Sequence, residues 1–511
     1  MNIGSWIRKW SLIEPKKIAI IKDGREYTYG ELNVECNRIA NFLLKKGLHN
    51  GDRVAILSYN SHRFITVLFA SSKAGAVFVP LNWRMATDEL AGVLNDCSPK
   101  FLFFAEEYKD IAEKLTYKVE SIKYFVNLGQ ETKLDSYECN WMMACPSSEP
   151  ALSYVPRLED AHIILYTSGT TGVPKGAVLS NQKTLFNVLN ANFFFRLAPT
   201  DIFLVSRPMF HSGGLLIDSL PIFYRGATVI YKKRFSTHDY LETIEKYKVT
   251  ISEPAATFLN FVLKECDFDQ FNLKSLKCFY TGGERVPVSL LQEYHKRNLP
   301  LSQLFGMTET STLTCLAMED ALTKAGSVGK PVFHAELKIV GKDGSEICPG
   351  ETGEIVVRGP ILMSGYWKRD EQTRIAVKDG WFHTGDLATI DDDGYIYIID
   401  RAHDTYISGG ENIHPAEIER VLLSNPKILD AAVYGIPDEK WGEVGKASVI
   451  LHENETMTSG ELLEFLQGKI GKFKLPKYVD FVKELPKTAS GKIKRYLLVE
   501  KFNKEVVRAK E

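Results

Sequence analysis

Hydrophobic positions recur along this chain with two different periods. Over residues 38–46 (RIANFLLKK) apolar side chains return at helical spacing, whereas Arg53–Leu57 (RVAIL) and residues 76–80 (AVFVP) are short apolar runs of strand length. Strand–helix alternation of this kind, up to about residue 155, predicts a mostly parallel sheet covered on both faces. The same rhythm returns over residues 161–303 and predicts a second layered α/β subdomain. From Gly326 to Asp400 the pattern changes to short strands and turns (ELKIV, GEIVVRG, GYIYIID), which predicts a small β-rich unit. Beyond Arg401 come helices over residues 415–424 and 459–470 and strands over 431–434 and 447–451, enough for a small α+β domain. The expected division is 1–402 and 403–511, placed by the change of pattern near residue 402 and not by a linker.

Composition narrows the class. The 511 residues are 44% hydrophobic and 25% charged, as in a globular protein of two or three domains. Lys and Arg total 63 against 64 Asp and Glu, a net charge of -1. That balance gives no electrostatic reason for nucleic acid or an anionic membrane as partner. Eight cysteines are scattered without a CxxC pair, so no zinc site is expected, and reduced thiols in a cytoplasmic protein are. The first residues, MNIGSWIRKWSLIEPKK, do not read as a secretory leader. The longest apolar stretch, residues 64–81, is broken by Lys73 and two serines, so no integral membrane segment is expected.

The chemistry concentrates in YTSGTTGVPKGA, residues 166–177. It follows an apolar strand and precedes a helix that Ser180 is placed to cap, so the expected arrangement is strand, loop, helix. Glycines permit tight backbone, hydroxyls and amides can surround phosphate oxygens, and Lys175 adds a positive charge. A Walker loop is excluded: only two residues separate Gly169 from Gly172, and Lys175 precedes Gly176. Alone, such a stretch has a polar surface loop as its alternative reading, and the strand–loop–helix placement favours anion binding over it.

Further blocks follow in order: PMFHSGG (208–214), YTGGERVP (280–287), QLFGMTETS (303–311), GEI (353–355), WFHTGD (381–386), DRAHD (400–404), ISGGENIHPAEIE (407–419) and PKTASGKI (486–493). Together with the TSGTTGVPKG loop they resemble the acyl-adenylate-forming superfamily, which includes acyl-CoA synthetases, luciferases and peptide-synthetase adenylation domains. The resemblance implies a large N-terminal adenylation domain of layered α/β subdomains and a small mobile C-terminal domain carrying a catalytic lysine. It implies ATP, Mg²⁺ and coenzyme A beside a small-molecule carboxylic acid, and leaves a homodimer open. By position, Thr167, Ser168, Gly169, Thr170, Thr171, Gly172 and Lys175 would cradle phosphate. Gly283, Glu284 and Arg285 with Phe305, Gly306 and Met307 would enclose adenine, and Thr308 and Glu309 would meet phosphate and Mg²⁺. Asp386 would accept the ribose hydroxyls beside Arg401. Lys492 would stabilise the charge that moves while carboxylate attacks the α-phosphorus and pyrophosphate leaves. For the thioester step Ser408, Gly409 and Gly410 would leave a slot for pantetheine, and Trp441 and Phe473 would receive the CoA adenine. Lys472, Lys474 and Lys477 could meet its phosphates.

Two positions depart from or narrow the pattern. The pivot normally carries Lys or Asp two residues after its arginine, where this chain has His403. His211 would line the acyl site, where amino-acid-activating relatives place an aspartate to pair with the ammonium, so an amino-acid substrate is disfavoured. Gly213, Gly214 and Gly282 would leave room beside the carboxylate for a fatty, aryl or alicyclic tail. The expected function is an AMP-forming acid–CoA ligase. Alternatives are an adenylate-former that delivers to a carrier protein or other acceptor, and a nucleotide-binding regulator without catalysis.

Overall fold

The computed structural model describes residues 2–129, 142, 144–167, 174–233, 235–283, 286–341, 343–401, 406–486, 493 and 495–508. The chain forms two compact units. One comprises Met1–Trp83, Leu94–Leu165 and Gly176–Asp400; the other comprises Arg84–Val93, Tyr166–Lys175 and Arg401–Glu511.

The larger unit is built on three sheets. A nine-stranded sheet runs in the order Lys330–Pro331, Ser311–Cys315, Leu301–Met307, Cys278–Gly282, Ile251–Ser252, Ile202–Val205, Thr228–Tyr231, Ile18–Lys22, Arg25–Thr28. Its inner strands pair in parallel, with antiparallel strands at both edges. A seven-stranded sheet runs Gly365–Tyr366, Lys175–Ser180, Ala161–Thr167, Val77–Pro80, Arg53–Leu57, Phe101–Phe104, Tyr124–Asn127. The third, five-stranded, orders Glu336–Val340, Gly353–Arg358, Trp381–Ile390 and Val377–Lys378, with Ile396–Arg401 also on Trp381–Ile390. Most of the β-rich unit expected from Gly326 to Asp400 is this third sheet, but Lys330–Pro331 and Gly365–Tyr366 within that span join the other two sheets.

The two α/β halves are not separate in the way the pattern implied. Ile18–Lys22, near the N-terminus, pairs in parallel with Thr228–Tyr231, more than two hundred residues on. Conversely, the strand Ala161–Thr167, where the second half was expected to begin, lies beside Val77–Pro80. Each sheet therefore draws strands from both halves, and one apolar cluster joins Phe78 and Ile163 of one sheet to Tyr280 and Leu313 of the other. The helix Asn181–Phe194 contributes Val188 and Ala191 to the same cluster. Its N-cap is Ser180, as expected, whose Oγ accepts from Lys183 N at 3.1 Å.

In the smaller unit a five-stranded sheet runs Glu411–Ile413, Tyr406–Ser408, Gly442–Leu451, Ile428–Asp438, with Tyr478–Phe481 parallel to Gly442–Leu451. Ile418 and Leu422 of the helix Pro415–Leu422 and Leu462 and Leu466 of Ser459–Leu466 close its core. All the described cysteines are free thiols, and no described helix is long and apolar enough to cross a membrane.

Candidate active site

Thr308 and Glu309 sit at the tip of an antiparallel hairpin, Leu301–Met307 with Ser311–Cys315, and not at a helix start. The tip closes on itself: Thr310 N donates to Met307 O at 3.2 Å. A side chain at Gly306 would run into Ser311 O, so only glycine lets the two strands cross there. Glu309 is 6% exposed; its Oε1 accepts from Tyr366 Oη at 2.8 Å, and its carbonyl accepts from Met363 N at 2.7 Å. Thr308 is half-buried beside it.

Behind Glu309 lies a residue no motif pointed to. Lys183, fully buried in the first turn of Asn181–Phe194, donates from Nζ to Ser311 Oγ at 2.6 Å. Burial pushes its ammonium down to about 7, and the Glu309 carboxylate pulls the other way. His162, also buried, has one ring nitrogen 2.7 Å from Thr184 Oγ1; burial first, and then Lys183, push it down to about 3. A lone lysine next to a cap carries no sequence signal, which is why only the structure shows it.

Asp386 is presented by a bulge. In the pairing of Gly353–Arg358 with Trp381–Ile390 the register shifts between Glu354 and Val356, and Asp386 lies in the extra residues opposite. Glu354 holds the bulge: its Oε1 accepts from Gly385 N at 2.9 Å, and its Oε2 lies 2.8 Å from His383 Nδ1. Thr384 Oγ1 donates to Ile355 O at 2.7 Å, while Asp386 N donates back to that hydroxyl at 3.1 Å. Asp386 is 2% exposed, and Phe305 packs against the cluster that contains Ala388, two residues on. The GEI block thus positions Asp386. On the expectation that Asp386 accepts the ribose hydroxyls of ATP, replacing Glu354 by Ala should release the bulge and raise the KM for ATP by about tenfold with a smaller change in kcat, read from acid-dependent ATP–pyrophosphate exchange.

Around His211 the glycines do not leave space. A side chain on Gly282 would strike Leu304 O, and one on Gly214 would strike the carbonyls of Arg207 and Pro208. These two glycines serve close backbone packing, which corrects the expectation of an open wall there. The room at Gly213 is filled by the Arg207 guanidinium, 3.1 Å from where a Cβ would lie. Asn60 clamps this turn, donating to Arg207 O at 2.7 Å and accepting from Met209 N at 2.8 Å. The His211 ring lies 4.3 Å from that of Phe210, which meets Trp83 edge-on at 5.7 Å. Acids do exist nearby, but they are not offered to an ammonium. Glu253 is 1% exposed and faces Arg207, and Asp218 is fully buried.

Apolar space lies further along the same strand face. Cys278, Tyr280 and Gly282 alternate onto one side of Cys278–Gly282. A cavity of about 720 Å³ begins at the first two and is walled by Phe193, Phe194, Val332 and Phe333.

Thr167 and Lys175 close the glycine-rich loop from either side, Thr167 Oγ1 donating to Lys175 O at 3.4 Å. Ser168, Gly169, Thr170, Thr171 and Gly172 lie outside the described residues, as do Glu284, Arg285, His403 and Lys492 and the side chain of Arg401. The loop leads into the strand Lys175–Ser180 before the helix begins. The expected strand–loop–helix order is therefore corrected to strand–loop–strand.

In the smaller unit Gly409 and Gly410 form the two-residue turn between Tyr406–Ser408 and Glu411–Ile413, with Ser408 paired to Glu411. Their φ angles are 56° and 80°, both left-handed, the geometry of a type I′ hairpin turn. Gly409 N donates to Trp441 O at 3.0 Å, and a Cβ on Gly409 would lie 3.0 Å from the Trp441 ring. Two residues singled out for the thioester step are thus in contact. The Trp441 side is fixed by Asp438, whose Oδ1 accepts from Trp441 N at 3.0 Å and whose Oδ2 accepts from Lys477 Nζ at 2.6 Å. Trp441 remains 41% exposed, whereas Phe473 is half-buried against the core. Lys474 is not a surface cation: it is 2% exposed, with Nζ 2.6 Å from Glu417 Oε1. Lys472 is exposed.

Comparison with known proteins agrees with this layout. The family model described as AMP-binding enzyme matches residues 7–367, and that described as AMP-binding enzyme C-terminal domain matches 417–492. The chain is 37% identical over 504 residues to an indoleacetate–CoA ligase of Aromatoleum aromaticum, covering 97% of each. It superposes on an o-succinylbenzoate CoA synthetase of Bacillus subtilis with a TM-score of 0.87 at 32% identity, covering 97% of this chain and 98% of that one. An amide bond synthetase of Marinactinospora thermotolerans gives a TM-score of 0.89 at 26% identity, covering 98% of this chain and 100% of that one.

Proposed function

We propose, for a chain that belongs to the AMP-binding enzyme family, that it is an AMP-forming acid–CoA ligase acting on acids with a bulky apolar tail. The carboxylate attacks the α-phosphorus of ATP, giving acyl-AMP and pyrophosphate. The CoA thiol then gives up its proton and attacks the acyl carbonyl, and AMP leaves. The observation that carries this reading is the buried Glu309 carboxylate at a hairpin tip, beside Thr308 and backed by the buried Lys183, whose Nζ donates to Ser311 Oγ.

A magnesium ion fits that donor set, because it needs only one or two carboxylates and takes its other ligands from phosphate and water. Glu309 would hold it, and bound there it would neutralise charge on the phosphates of ATP. Asp386 accepts the ribose hydroxyls, and Phe305, Gly306 and Met307 pack along the base. Lys492, from the smaller domain proposed for residues 403–511, stabilises the charge that shifts between carboxylate and α-phosphate. The Gly409–Gly410 turn and the exposed face of Trp441 serve the thioester step.

The cavity along Cys278 and Tyr280 takes the tail. Its volume of about 720 Å³ lies within the usual range of ligand pockets, and Phe193, Phe194, Phe195, Tyr280 and Phe333 line it beside the charged Arg196, Lys277, Glu319 and Lys330. Aryl acids such as indoleacetate and o-succinylbenzoate name the substrate class of two relatives, and the same class suits this wall. In a panel of straight-chain and aryl acids, kcat/KM for pyrophosphate exchange should rise up to about fourfold for each added buried methylene and then break when the cavity is full. An optimum at acetate, or at an α-amino acid, overturns the assignment. A second reading, delivery to an amine, is favoured by the likeness to the amide bond synthetase. It requires amide formation without CoA to outpace thioester formation.

A further inference from the structure

Arg207 is held by half of its guanidinium. Nε donates to Glu253 O at 3.0 Å, Nη2 donates to Gly282 O, and Nη2 lies 3.3 Å from Glu253 Oε1. Nη1 donates to no acceptor among the described residues. It lies against the bare α-carbons of Gly213 and Gly283, 3.1 and 3.4 Å from where their Cβ atoms would be. The side chain is 17% exposed, so this free end is open and not sealed in the core. Gly213 belongs to PMFHSGG, expected at the acyl site, and Gly283 to YTGGERVP, where it follows Gly282 of the acyl site and is expected against adenine.

Two buried acids lie beneath Arg207. Asp218 is fully buried and lies against the buried Glu253 carboxyl. Burial, then the neighbouring Glu253, hold the Asp218 carboxyl well above the usual carboxylate range. The outward Nη1 presents two polarised N–H bonds. Water can meet this donor in the free protein, and a bound molecule that displaces that water leaves the donor unmet unless it brings an acceptor of its own.

We infer that Arg207 is a specificity residue whose Nη1 binds a second oxygen acceptor on the acyl group, an oxo or carboxylate oxygen beyond the reacting carboxyl. The inference rests on the ligase reading above. Acids carrying such an oxygen are then preferred over their hydrocarbon analogues, while the apolar cavity still takes the remainder of the tail.

Matched acids test it by ATP–pyrophosphate exchange: 4-oxo-4-phenylbutanoate against 4-phenylbutanoate, a 5-oxo pair, and hexanedioate against hexanoate. The wild-type protein should favour at least one oxygenated partner by about 10- to 100-fold in kcat/KM, chiefly through KM. The pair that responds tells an oxo group from a second carboxylate. In Arg207→Met that preference should fall towards unity, and Arg207→Lys should keep part of it, with melting temperature checking the fold of both. Ratios near unity for every pair in the wild type overturn the inference even if Arg207→Met does not fold. So does an equal loss on both members of a pair in a folded Arg207→Met, which would place Arg207 on the reacting carboxylate. Exchange with no acid at all would instead remove the ligase reading.

Discussion

Lys492→Ala should lose acid-dependent ATP–pyrophosphate exchange by about 10²–10³-fold, while transfer from supplied acyl-AMP to CoA stays within about tenfold of the unaltered enzyme. In the first half-reaction negative charge leaves the attacking carboxylate and gathers on the leaving pyrophosphate. A fixed ammonium is worth most at that moment, in a site from which water is excluded. In the second half-reaction the charge develops on an acyl carbonyl and on departing AMP, and the family resemblance implies that the lysine segment has been carried away. Equal loss of both half-reactions would remove the division of labour proposed for residues 403–511.

The complementary variant acts on the other step. Gly409→Leu should cut thioester formation by more than about 10²-fold and leave acyl-AMP formation within about threefold. Gly409 has φ 56°, where an L-residue is strained by roughly 1–2 kcal/mol, and a Cβ would lie 3.0 Å from the Trp441 ring. The larger side chain would also fill the surface beside Trp441. Gly409→Asn separates the two effects, because asparagine tolerates the left-handed region yet still adds bulk. If Asn restores thioester formation fully, backbone geometry is what matters; if it remains impaired while the melting temperature recovers, the bulk beside Trp441 is. A parallel fall of adenylation in both variants would make Gly409 a folding residue of the hairpin and nothing more.

Much of this architecture is legible in the sequence, where local rules decide. The apolar run Arg53–Leu57 is a strand, Ser180 caps the helix after Lys175–Ser180, and most of the Gly326–Asp400 region is a small sheet. Partner choice between strands is a different matter. Ile18–Lys22 and Thr228–Tyr231 lie side by side, but periodicity carries no address for a strand two hundred residues away. The same limit explains the glycines at the acyl site. Gly282 looks like open space in a sequence, and only the arrival of Leu304 O from the neighbouring strand shows that it is a packing requirement. Lys474 reads as one of a solvated cluster, and burial against Glu417 is a tertiary fact. Arg207 and Lys183 carry no motif at all, since a single basic residue gains meaning only from the acids and hydroxyls that fold around it.

The most direct test of the central claim is the product balance of a single reaction. With an aryl acid, ATP and CoA, chromatography should show one AMP and one pyrophosphate for each acyl-CoA formed, and omission of CoA should leave acyl-AMP bound at about one per enzyme. Formation of ADP and phosphate, or turnover to the same extent without CoA, would contradict it.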